Sequence, residues 1–101
     1  MFWSRWRAWW GRRQRPALDV VLYTRQGCHL CEDAWAELAA ARQRHGFRLS
    51  LVDVDSDPRL VAEHGEHVPV VTVNGQVRFR GRVNRVLLER LLTALRRGER
   101  A

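Results

Sequence analysis

The sequence predicts an α/β domain in which a four-stranded mixed sheet carries helices on both faces, in the order β-α-β-α-β-β-α. Three observations carry this expectation. Apolar runs of strand length alternate with stretches of helical periodicity, an Asn-Gly pair separates the last two apolar runs, and a leucine-rich amphipathic stretch closes the pattern. With 101 residues the chain has room for one hydrophobic core and not for a second.

The first strand, β1, is the apolar run Val20 to Tyr23 after Asp19, of the kind buried on both faces. Beyond the loop Thr24 to Gly27, Leu30, Ala34, Leu38 and Ala41 recur at helical spacing, and Gly46 after His45 is a stop. This predicts α1 from Cys28 to His45. Phe47, Leu49 and Leu51 alternate with Arg48 and Ser50 before Val52 and Val54, which predicts β2. Asp55, Ser56 and Asp57 offer N-caps ahead of Pro58, so a short α2 should run to His64 and stop at Gly65. Val70 to Val73 (β3) and Val77 to Phe79 (β4) flank Asn74-Gly75, a pair that favours a type I′ turn and hence an antiparallel hairpin. Asn84 can cap the last helix, where Leu87, Leu88, Leu91, Leu92 and Leu95 make one wide apolar stripe. Right-handed crossover through α1 requires β1 and β2 to be parallel.

Charge is divided unevenly along the chain. Residues 1–16 hold five arginines and no acid, residues 17–77 five arginines against nine acids, and residues 78–101 eight arginines against two acids. The net charge of +7 therefore sits at the two ends around an acidic middle, which argues against nucleic-acid binding as the main function. All eighteen basic residues are arginine, so no lysine amine is present for Schiff-base chemistry. No secretory h-region and no apolar run near the ~20 residues of a membrane span is evident, which predicts a cytoplasmic protein, taken as a monomer.

Residues 1–16, MFWSRWRAWWGRRQRP, read as an appended basic tail, expected to be disordered, ahead of a domain spanning 17–101. Trp3, Trp6 and Trp10 fall at helical spacing among arginines, a composition suited to peripheral contact with an anionic membrane.

The chemistry is concentrated in Cys28 and Cys31, placed between the end of a predicted strand and the first turn of a predicted helix. Free N–H groups and partial positive charge at a helix start favour a thiolate, so Cys28 is the expected nucleophile. Cys31, one turn on, can attack a mixed disulfide formed at Cys28 and release the product. Two other uses of the pair compete with this one. A structural disulfide closing so short a loop removes little chain entropy. A zinc site would need His64 and His67 to complete a Cys2His2 set. Haem attachment is excluded, since Glu32 stands where that motif needs histidine. His29, between the cysteines, would favour the thiolate, whereas Glu32 and Asp33 would oppose it.

The segment Tyr23-Thr24-Arg25-Gln26-Gly27-Cys28-His29-Leu30-Cys31 resembles the active-site segment of glutaredoxin-like proteins in the thioredoxin superfamily. His67-Val68-Pro69 resembles the superfamily's cis-proline loop, and Gly81 followed by Asn84 resembles the element that opens the last helix of glutaredoxins. The resemblance covers residues 19 to about 97. It implies a thioredoxin-like fold and a thiol-disulfide oxidoreductase, acting on protein disulfides or glutathione mixed disulfides without a bound cofactor. It also implies a cis Val68-Pro69 bond and glutathione as co-substrate, with Arg25 at a glutathione carboxylate, His29 beside the nucleophile, Val68 and Pro69 at the substrate thiol and Asn84 at the end of the tripeptide. His29 and Leu30 replace the proline and aromatic residue usual between glutaredoxin cysteines, and His67 replaces a threonine. A redox-sensing or binding module of the same fold is the alternative function.

Overall fold

The computed structural model describes residues 18–98. The basic tail, residues 1–16, with its expected disorder and membrane contact, lies outside the described residues. The elements are β1 (Asp19–Thr24), α1 (His29–His45), β2 (Arg48–Asp53), one 3-10 turn (Val54–Ser56), α2 (Pro58–His64), β3 (Val70–Val73), β4 (Gln76–Arg80) and α3 (Arg85–Arg96). This is the order the sequence predicts.

Local chemistry sets the boundaries. Asp57 caps α2 by accepting from the Arg59 N–H at 2.9 Å, with Pro58 at the first helical position where its missing N–H costs nothing. Asn84 caps α3 through Leu87 N–H at 2.9 Å. Asn74 and Gly75 both take positive φ, 51° and 83°, as a type I′ hairpin turn demands. Asn74 also accepts the Asp19 N–H on Oδ1 at 2.9 Å, which ties the hairpin turn to the start of β1.

The sheet runs β2-β1-β3-β4, with β1 parallel to β2 and the remaining pairs antiparallel. Because successive strand residues face opposite sides, Val20 and Leu22 of β1 share one face with their partners Val73 and Val71. Ala34, Leu38 and Ala41 of α1 and Leu88 and Leu92 of α3 close over that face to make the core. On the other face Tyr23 meets His64 of α2, ring centroids 4.5 Å apart, so helices do cover both sides. Among the described residues no helix is long and apolar enough to cross a membrane.

Several apolar residues depart from the sequence expectation, Leu51 of β2 among them, which is exposed. Leu30 and Leu87 are exposed, because the core-facing stripes run through Cys31-Ala34-Leu38-Ala41 and Leu88-Leu92, and each leucine sits one residue, about 100°, to the side. Val54 leaves β2 for the 3-10 turn and is fully buried there; Asp53, the cap of that turn, accepts the Asp55 N–H at 2.9 Å.

The end of α1 is pinned to α3 by one carboxylate. Arg44 donates to Glu89 at 2.9 and 3.3 Å, and His45 Nε2 lies 3.1 Å from the same group. A guanidinium only donates, so Arg96 Nη1, 3.2 Å from His45 Nδ1, makes that nitrogen the acceptor and leaves Nε2–H for Glu89. The Arg44 hydrogen bond, then that of His45, lowers the Glu89 pKa from 4.5 to about 2. A carboxyl that is harder to protonate when folded adds stability that is fully present above about pH 4.5 and lost as pH falls toward 2. Glu89→Gln should therefore flatten the fall in stability across that window, read as urea midpoints at successive pH values.

Candidate active site

Strand β1 carries the chain to one end of the sheet, and Gly27, at φ 79°, turns it into α1. Cys28 follows as the N-cap of the helix, in extended conformation, and its Sγ accepts the Cys31 N–H at 3.1 Å. Sulfur thus takes the place that a hydroxyl or carboxylate usually fills at a helix start. The two sulfurs are joined in a disulfide across a Cα–Cα distance of 5.2 Å. Cys28 is half-buried, while Cys31 is only 4% exposed beneath the first turn. An attacking group from solvent therefore meets Cys28 first.

Beside the disulfide lies a hollow of about 460 Å³ whose walls include Arg25, Cys28, Cys31, Glu32, Trp35 and Leu51. Arg25 does not enter it as a free cation. Its Nε and Nη2 grip the two carboxylate oxygens of Asp55 at 3.0 and 2.8 Å, and Nη1 donates to the Gly65 carbonyl at 3.3 Å. The fork geometry suits a planar guanidinium. Its hydrogen bonds raise the Arg25 pKa further and hold the Asp55 carboxyl below its usual range. This strut joins the loop before Cys28 to the 3-10 turn after β2 and to the end of α2.

The remaining residues singled out in the sequence are spread around this centre. The Val68-Pro69 bond is cis, with Pro69 buried and Val68 half-buried. Because Val70 pairs with Tyr23, the two residues before it run beside the loop that leaves β1 for Cys28. His29 is almost fully exposed and lies 3.4 Å from Glu32 through Nδ1. Asn84 stands in a separate hollow with Leu30, Asp33 and Arg85, its side-chain oxygen used in capping α3. His64 is buried against Tyr23 and His67 is exposed. Among the described residues no three histidine, cysteine or acidic side chains gather as a metal site, so the Cys2His2 set does not assemble.

Asp55, Trp35 and Leu51 were not marked by the sequence as parts of a site. Trp35 had a readable signal, since it lies seven residues, about two turns, beyond Cys28 on one helix. Asp55 looked like a cap, and its partner is thirty residues away in the chain, where no local pattern reaches.

A family model described as a glutaredoxin-like domain matches residues 19–93. Uncharacterized proteins of Mycobacterium tuberculosis and Mycobacterium bovis are 37% identical over 63 residues, which is 57% of this chain and 65% of each relative. The match thus spans slightly less than two thirds of their length. A protein of known structure from X. campestris superposes with a TM-score of 0.63 at 31% identity, covering 74% of this chain and 96% of the other. A thioredoxin from Fasciola hepatica superposes at 0.55 with 19% identity, over 89% of this chain and 90% of its own, and shares the fold. The architecture is thioredoxin-like.

The end of α2 has no room for a side chain at Gly65, where an added Cβ would lie 2.6 Å from the Val61 carbonyl oxygen. Backbone cannot give way there cheaply, so Gly65→Ala should lower stability by about 1–3 kcal/mol in urea unfolding.

Proposed function

Since this chain belongs to the glutaredoxin-like domain family, we propose that it is a thiol-disulfide oxidoreductase whose two-electron couple is Cys28 and Cys31. The observation that carries this reading is the position of Cys28 as the cap of α1, accepting the Cys31 N–H while its partner is buried. In the reduced form the same N–H and the helix start stabilise a thiolate on Cys28 over the thiol.

The Cys28 thiolate attacks one sulfur of a substrate disulfide, forms a mixed disulfide and expels the other substrate sulfur as a thiolate. Cys31, deprotonated, then attacks the Cys28 sulfur, forms the intramolecular bond seen here and releases the second substrate thiolate. Two electrons pass from the protein to the substrate. Two external thiols return them in the reverse direction: the first thiolate opens the Cys28–Cys31 bond to a mixed disulfide at Cys28 and the second displaces Cys28, leaving the external pair as a disulfide. No resident cofactor takes part in either half.

Protein disulfides and glutathione mixed disulfides are the substrate classes, and glutathione is a fitting reductant in a cytoplasm that keeps thiols reduced. The cis Val68-Pro69 segment, running beside the active-site loop, supports a role in seating the substrate thiol. The chain works as a monomer in this scheme.

With Cys31→Ser the second step is removed, so mixed disulfides should accumulate at Cys28 and be identifiable by mass spectrometry. Cys28→Ser should trap none and should abolish disulfide reduction. Partners captured by Cys28→Ser instead would reverse the two roles.

A further inference from the structure

We propose that the hollow beside the disulfide is a docking groove for a polypeptide disulfide, in which Trp35 and Leu51 receive an apolar side chain next to the substrate half-cystine and Asp55, by engaging Arg25, withholds the cation that an anionic thiol would need. The proposal rests on the redox reading above and names the substrate class for that same site.

One continuous hollow is lined by both cysteines and by the apolar wall, so a group that approaches Cys28 from this side does so along the groove. Trp35 is 41% exposed and Leu51 56%, large apolar surfaces left in water. Their positions follow from the fold. Leu51 is the partner of Leu22 on β1 and continues the core-facing side of the sheet past the cover of α1. Trp35 stands on α1 about two turns beyond Cys28. A side chain laid between them would exchange water for an indole face and an isobutyl group.

The open direction selects a chain rather than a compact molecule. Among the described residues β2 is an edge strand with no further strand beyond it to close the groove, so an extended substrate can run on past Leu51.

Charge points the same way. Arg25 and Glu32 are the charged side chains among the lining residues. Arg25 is matched by Asp55 through two hydrogen bonds and gives a third N–H, of the five it carries, to the Gly65 carbonyl, whereas among the described residues Glu32 pairs with the exposed His29. The groove thus presents an apolar wall with a negative rim, which favours neutral or cationic polypeptide and leaves glutathione, a small dicarboxylate, to exchange at Cys28 without a charged contact from the groove. Specificity of this kind comes as much from what is withheld as from what is offered.

The test uses the reduced full chain and four disulfides: two symmetric peptide disulfides, acetylated and amidated, identical except for Phe or Ala beside the cysteine; oxidised glutathione; and the neutral 2-hydroxyethyl disulfide. Second-order rate constants are measured for each. The Phe peptide should react about tenfold faster than the Ala peptide, as expected for one aromatic contact with a partly desolvated indole. Trp35→Ala should bring that ratio close to one, and Trp35→Phe should restore most of it. Asp55→Asn should raise the rate with oxidised glutathione several-fold relative to 2-hydroxyethyl disulfide. Equal rates for the two peptides with the unmodified protein, or a ratio that survives Trp35→Ala, would overturn the groove. An unchanged glutathione rate ratio in Asp55→Asn would overturn the part assigned to Asp55. A protein that reacts with none of the four, the neutral small disulfide included, sinks the redox reading itself and this inference with it.

Discussion

A helix must do something with the N–H groups of its first turn, and here a cysteine sulfur answers that need. Cys28 caps α1 by accepting from Cys31, and much of the molecule serves to keep it there. The cap fixes the direction in which the sulfur faces, buries its partner one turn below, and puts the positive end of the helix beside the atom that must carry negative charge. A serine at the same position would satisfy the backbone equally well. The chemistry therefore arises from using a redox-active atom for a structural duty that a hydroxyl normally performs.

Holding that cap in place takes contacts from distant parts of the chain. The Arg25 strut crosses from the active-site loop to Asp55 and Gly65, and Gly81 closes the far side by donating its N–H to the carbonyls of His67 and Pro69 at 3.2 and 2.8 Å. Gly65 is buried and tolerates no Cβ, so it can sit close enough to Val61 for α2 to end there and present its carbonyl to the guanidinium. At the opposite end of α1, Glu89 gathers Arg44 and His45 and fastens the helix to α3. The helix that carries both cysteines is thus tied to its neighbours at each end.

The arrangement also changes the meaning of the arginine before the cysteines. By resemblance Arg25 is a contact for a carboxylate on the substrate, yet a carboxylate of the protein already fills its fork. A bidentate ion pair at the edge of a groove contributes modestly to stability because solvent screens it. Its larger effect is on recognition, since a cation already paired offers an incoming anion little that water does not. The exposed Trp35 and Leu51 then become the dominant features of the surface that a substrate meets.

Much of this was legible in the sequence because its signals are local. Short apolar runs marked β1, β3 and β4 and alternation marked β2, Asn74-Gly75 the hairpin, Pro58 and Asn84 the helix starts, and the spacing of Cys28 and Cys31 at a strand-to-helix junction the chemistry. Each depends on backbone preferences acting over a few residues. Where apolar residues crowd one helix face, the pattern alone drew the stripe too wide: Leu30 and Leu87 fit it by spacing, but the core took Cys31 beside the first and, of the leucines of α3, Leu88 and Leu92. What only the tertiary structure decided is which side chains converge from distant segments: Asp55 on Arg25, His64 on Tyr23, Leu51 near Trp35 beside the disulfide. Those meetings are set by how α1 and α2 pack on the sheet, and periodicity along a chain carries no information about the partner waiting across it.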